Sequence, residues 1–283
     1  MKRKVLVPTD FSETAQNALR YAIKMYKNEP CDFYLLNSFS VNSFTLDSLM
    51  IPEPGEKTYD LAATKSKNGL SKTVVKLDSK YNSTEHHFHQ ISKFATPLVA
   101  IEVLVEEMDI EMIVMGTNGA GKRRDKIYGS NTVITMEKIT NCPVLAIPRE
   151  AKFPPTNEIV FVTDFSIPYK KNELLSLKEI THKSEVPLRI LHISNNMSIS
   201  EKQYKNRDKL PKYFEGIDYS FHTLNSNNIE ESVHFFSDSR NSGMIIFMNR
   251  QNSFLKRIFS TSMAKKLGSY TKVPIMALHD LHT

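Results

Sequence analysis

The stretch DIEMIVMGTNGAGKRRDKIYGSNT, residues 109–132, joins a buried strand to a helix through a glycine-rich loop. Asp109 to Met115 ends in a continuous apolar run, as expected of a strand covered on both faces. Thr132 to Ile139 has the spacing of a helix. Gly116, Gly119 and Gly129 therefore fall where a parallel sheet opens its ligand crevice. Backbone N–H groups there, with the positive end of a helix beginning near Ser130, attract an anion. Gly129 lets the chain approach a phosphate without a Cβ in the way. The competing reading is loop punctuation with no ligand.

The rhythm of strand and helix extends through the first half of the chain. Strands are expected over 4–8, 32–37, 86–91, 111–115 and 143–147, and helices over 13–27, 58–80, 98–108 and 130–140, an order that implies a mainly parallel sheet covered on both faces. The pattern then begins again. VLVPTDFS at 5–12 is echoed by IVFVTDFS at 159–166, and CPVLAI at 142–147 by VPIMAL at 273–278. Asp164 lies 154 residues after Asp10, but Pro274 only 131 after Pro143, so the second unit is 23 residues shorter inside. A period above a hundred residues is a duplicated domain and not a solenoid. The expected division is a domain over 1–148, a linker over 149–156 bounded by Pro148 and containing Pro154 and Pro155, and a domain over 157–283. Strands of the second are expected near 158–162, 188–193, 217–223, 243–248 and 274–278. The apolar last strands, Val144 to Ile147 and Ile275 to Leu278, are candidates to pair edge to edge between the units, because an exposed apolar edge invites aggregation.

A chain of 283 residues with 40% hydrophobic and 24% charged residues can build two real cores and is not wholly disordered. No apolar run approaches the roughly 18 residues needed to cross a bilayer. The apolar stretch before Asp10 is too short for a signal peptide, so a cytoplasmic location is expected and no membrane partner. Two cysteines, Cys31 and Cys142, lack any metal or redox spacing and read as buried small apolar residues. The net charge of +6 suits nucleotides, nucleic acid or acidic surfaces without choosing among them, and no nucleic-acid module is expected.

The sequence PTDFS, from Pro8 to Ser12, followed later by Gly116, Gly119, Gly129 and Ser130 in the spacing G-x2-G-x9-G-[ST], resembles the universal stress protein family, here as two fused domains. The resemblance implies a flavodoxin-like (adenine nucleotide alpha hydrolase-like) α/β fold with five parallel strands per unit. It also implies ATP bound across the ends of the first and fourth strands. Carried over, Pro8, Thr9 and Asp10 face the ribose and adenine side, and Asp10 can join a network of Mg²⁺ and phosphate. Ser38 meets the adenine edge through its backbone. Met115, Gly116, Gly119, Gly129, Ser130, Asn131 and Thr132 line the phosphate cradle, with the hydroxyls of Ser130 and Thr132 supplementing the amides. Asn131 stands where the family usually has an apolar residue. Single-domain members dimerise along the fifth strand, which the fusion would make intramolecular, and a further homodimer of the fused chain fits the same logic.

In the second unit, aligning MIIF at 244–247 with MIVM at 112–115 sets Met248 opposite Gly116, Arg250 or Gln251 opposite Gly119, and Ser260-Thr261 opposite Gly129-Ser130. Side chains at all three glycine positions hinder a triphosphate, although Thr163 and Asp164 survive, so one nucleotide site per chain is expected. GTNGAGKR at 116–123 also resembles a Walker A loop, but Arg123 stands where the magnesium-binding hydroxyl belongs. Lys122, Arg123, Arg124 and Lys126 read equally as a solvated basic turn. His86, His87 and His89 share a strand without a nearby Cys or carboxylate to complete a metal set, and His279 and His282 read as a frayed end. Residues 40–58 form a long insertion that either covers the adenine or is a surface loop. No nucleophile–base pair stands out. The expected role is an ATP-binding, nucleotide-responsive regulator of the stress response acting on a protein partner. The alternatives are a scaffold with a vestigial cradle and a slow ATPase.

Overall fold

The computed structural model describes residues 2–40, 53–81, 85–117, 130–194, 199–249 and 273–279. The first half runs β1 (Arg3–Pro8), α1 (Glu13–Met25), β2 (Cys31–Phe39), α2 (Lys57–Tyr81), β3 (His86–Phe94), α3 (Pro97–Glu107), β4 (Met112–Thr117), α4 (Ser130–Lys138) and β5 (Val144–Pro148). The second runs β6 (Ile159–Val162), α5 (Leu175–Ser184), β7 (Leu188–Ser194), α6 (Glu201–Arg207), β8 (Tyr219–Asn225), α7 (Ile229–Ser239), β9 (Met244–Met248) and β10 (Ile275–Leu278). Every expected strand is present within a few residues, and β2, β3 and β4 run two or three residues further at their carboxyl ends.

Local chemistry starts the helices. Ser12 caps α1 by accepting the Ala15 N–H, with Glu13 in the first turn and Lys24 in the last, signs that suit the helix dipole. Thr96 precedes α3, whose first residue, Pro97, has no N–H to leave unsatisfied. On β1, Val5, Leu6 and Val7 are all fully buried because helices cover both faces. Val5 and Val7 pack with α1 and α2 on one side, and Leu6 packs with α3 and α4 on the other. Each such burial stabilises the fold by about 1.5–3 kcal/mol.

The ten strands form one sheet in the order β3-β2-β1-β4-β5-β10-β9-β6-β7-β8. The two halves repeat the same order outward from the middle, and every neighbouring pair is parallel except β5 and β10. The pairing anticipated between the last strands is that antiparallel joint, with Leu145 opposite Met276. It is reinforced on one face by Lys183 of α5, whose ammonium reaches Glu29 at 2.8 Å and lies 4.0 Å from the centre of the Tyr26 ring. In each half the first strand lies beside the fourth, so the strand order reverses there and a crevice opens at the carboxyl ends. The shortfall of the second half falls mainly between β7 and β8, where α6 and a short 3₁₀ turn at Pro211–Tyr213 stand in place of the long α2.

Candidate functional site

The crevice of the first half begins at Pro8, in register with Leu36 of β2, and at Thr9, whose N–H donates to the Leu36 carbonyl at 2.8 Å. The chain then turns within four residues. The Phe11 N–H donates to Thr9 Oγ1 at 3.0 Å, and the Ser12 N–H to Asp10 Oδ1 at 3.0 Å. Phe11 sits at φ 66°, a left-handed conformation uncommon for a bulky residue. Its ring fills a space that exists because residue 69 of α2 is glycine, where an added Cβ would come within 2.4–2.8 Å of that ring. Asn37, nearly buried beside Ser38, donates to the Thr9 carbonyl at 2.6 Å and fixes the mouth of the crevice. Sequence reasoning passed over Asn37 and Phe11. The available signal was one amide at the end of an otherwise apolar strand.

Met115 and Gly116 lie near the carboxyl end of β4, paired with Ala146 and Ile147 of β5. An added Cβ at Gly116 would meet the Thr14 carbonyl carbon and oxygen at 2.8 Å and the Ala15 nitrogen at 2.9 Å, so this glycine lets α1 lie directly on the strand. That packing accounts for Gly116 independently of any ligand. The Thr132 hydroxyl, expected to face the cradle, donates instead to the Gly116 carbonyl at 3.0 Å and ties the start of α4 to the end of β4. The carboxyl ends of β1, β2 and β4 with the first turn of α4 thus carry Pro8, Thr9, Asp10, Ser38, Met115, Gly116, Asn131 and Thr132. Ser130 opens α4. Gly119, Gly129, Lys122, Arg123, Arg124 and Lys126 lie outside the described residues, as do 41–52 of the long insertion.

In the second half the same tetrapeptide makes the same turn. Phe165 stands at φ 56°, its N–H donates to Thr163 Oγ1 at 3.1 Å, and the Ser166 N–H donates to Asp164 Oδ1 at 2.9 Å. His192 takes the place of Asn37, with Nδ1 3.1 Å from the Thr163 carbonyl. Beyond the turn the halves part. Residues 167–171 are not helical, the Tyr169 hydroxyl is hydrogen-bonded to Thr163 Oγ1, and Gln203 of α6 donates to the Asp164 carbonyl at 2.7 Å. Met248, opposite Gly116, is buried. Arg250, Gln251, Ser260 and Thr261 lie outside the described residues.

Two readings of the sequence are corrected elsewhere. His89 does have a carboxylate nearby, Asp32 at 3.1 Å, and its ring stacks on Tyr34. No group of three or more potential metal ligands occurs among the described residues. His279 is not frayed but 1% exposed at the end of β10, and burial pushes its pKa down to about 4. It lies 3.5 Å from the amide nitrogen of Asn249, which donates to the Met136 carbonyl of α4 at 2.8 Å and so links the halves. His282 lies outside the described residues. Cys31 and Cys142 are buried free thiols whose pKa values burial raises.

The profile of the universal stress protein family matches residues 1–148, more than half of the chain and the half that holds this crevice. The chain belongs to the universal stress protein family. Among curated relatives, Universal stress protein MJ0577 of Methanocaldococcus jannaschii is 24% identical over 159 residues, covering 53% of this chain and 97% of that protein. Universal stress protein MJ0531 of the same organism is 23% identical over 150 residues, covering 53% and 84%. Among solved structures, a universal stress protein from Archaeoglobus fulgidus superposes with a TM-score of 0.69 at 19% identity, covering 98% of both chains. Both halves of the sheet therefore share the architecture of a universal stress protein. No helix among the described residues is long and apolar enough to cross a membrane.

Proposed function

We propose that the first half, residues 1–148, binds ATP at the carboxyl ends of β1 and β4 and works as a nucleotide-responsive regulator of the stress response. The observation that carries this reading is the unbroken G-x2-G-x9-G-S spacing of Gly116, Gly119, Gly129 and Ser130, starting from a strand that lies beside β1. Thr9 and Asp10 would meet the ribose and adenine side, and Ser38 the adenine edge. The amides from Gly119 to Asn131 would hold the phosphates at the positive end of α4, where anions are favoured. Magnesium, when bound with the nucleotide, would neutralise phosphate charge, and Asp10 is the exposed carboxylate placed to assist. Among the described residues the crevice offers holding groups and no nucleophile–base pair, and binding and release, not turnover, is the proposed output to a protein partner in the cytoplasm.

The second half, residues 157–283 after a linker at 149–156, is proposed to bind no nucleotide, which is the part of the scaffold reading that Tyr169 and Met248 favour. Equilibrium dialysis of the purified chain with ATP is expected to give one nucleotide per chain. Two per chain would contradict the assignment, and none at millimolar ATP would leave the scaffold reading. Sustained rapid hydrolysis abolished by Gly129→Val would make the protein an ATPase.

A further inference from the structure

Helix α2 carries six lysines against two aspartates, a net +4 out of the chain's +6. At 3.6 residues per turn, Leu61, Lys65, Asn68, Lys72, Val75 and Lys76 fall on one outward stripe, opposite the buried Ser66, Leu70, Val74 and Leu77. Leu61 and Val75 are 63% and 67% exposed, and none of the stripe's lysines is ion-paired among the described residues. Helix α3, on the opposite face of the sheet, is the reverse in sign. It has three glutamates and no basic residue, with Glu102 and Glu106 exposed beside Val99, itself 50% exposed. These glutamates also lack an ion-pair partner among the described residues.

The two stripes match in register when read antiparallel. Val75, Lys72 and Asn68 step back by three and seven residues, and Val99, Glu102 and Glu106 step forward by the same three and seven. Asp109, exposed just beyond α3 and 3.7 Å from Lys4, adds a carboxylate near that end of the acidic face. Because α2 and α3 lie on opposite faces of one chain, they cannot meet each other.

We propose that α2 is an interaction surface for a second copy of this chain, docking on the α3 face of that copy. The contact is heterologous, so each chain offers both a basic and an acidic helix, and assembly continues head to tail until it closes or forms a filament. It does not depend on nucleotide occupancy of the crevice.

Sedimentation velocity of the full chain tests this. Mass is expected to rise with concentration at about 0.1 M salt, where the Debye length is about 10 Å, and to fall to the monomer near 1 M, where it is about 3 Å. Lys72→Glu with Lys76→Glu sets like charges against the acidic helix and is expected to raise the dissociation constant at least about tenfold. Glu102→Lys with Glu106→Lys is expected to do the same. Mixing the two variants restores complementary pairs at both kinds of contact, and association is expected to return in the mixture alone. A wild-type chain that stays monomeric at low salt would overturn the proposal. So would a mixture no more associated than its parts. A monomeric chain whose α2 lysines instead hold phosphatidylserine vesicles or duplex DNA would overturn it in favour of that partner.

Discussion

The turns after β1 and β6 have the same sequence, Thr-Asp-Phe-Ser, and the same internal hydrogen bonds, yet they lead into different surroundings. In the first, Ser12 caps a helix at once, and Thr14 and Ala15 pack against the bare backbone of Gly116. In the second, Pro168 occupies the position of Thr14, the following residues are irregular, the Tyr169 hydroxyl meets Thr163, and Met248 is buried at the end of β9. A threonine and an aspartate at a strand end are thus primarily turn-forming residues. The two turns differ in what adjoins them: a glycine on β4 with α1 lying on it in the first half, and a buried methionine at the end of β9 in the second.

The contrast can be broken most severely at Met248. Truncation to alanine removes a buried side chain from the second half's core. Met248→Ala is expected to cost about 2–5 kcal/mol by urea denaturation, with nucleotide stoichiometry in dialysis unchanged. A second nucleotide bound by this variant would mean that Met248 alone closes the second crevice. Next in size is the strand-end pair Asn249 and His279, which stands where the first half has Thr117 and Pro148. The folded His279 pKa, about 4, lies below the unfolded value near 6.5, so its contribution is present above about pH 6.5 and disappears as pH falls through 4. The loss amounts to about 3 kcal/mol over that window. His234, held near 4 by burial in the same way, adds a similar slope. His279→Gln is expected to remove roughly half of the combined slope in a stability series from pH 7 to 4, and an unchanged slope would refute the buried neutral state. Smallest is Gly116→Ala, which forces α1 from β4 at an expected cost of about 1–3 kcal/mol and, on the proposed function, is expected to weaken ATP binding. Normal stability with weakened binding would show that Gly116 serves the ligand rather than the helix.

The alternation of strand and helix was legible because β1, β4 and their counterparts are continuous apolar runs, and the repeat was legible because the strand-end words VLVPTDFS and IVFVTDFS are nearly alike. The joint between β5 and β10 followed from their apolar edges. What could not be read were contacts between residues distant in sequence. The burial of His279 depends on Asn249 and α4, which no local pattern relates to it. The same holds for Gly116, whose spacing suggested a phosphate cradle while its nearest neighbours are the backbone of Thr14 and Ala15. The His89–Asp32 pair arises from the register of β2 and β3, which strand lengths alone leave free.

The antiparallel ladder between Val144–Pro148 and Ile275–Leu278 also bears on how far the halves rely on their covalent connection. Main-chain bonds, the Asn249 amide on Met136 and the Lys183–Glu29 pair all cross from one half to the other without passing through residues 149–156. A proteolytic nick between Arg149 and Thr156 would therefore leave two fragments that travel together. The same surfaces would let separately synthesised halves reassemble as a split protein.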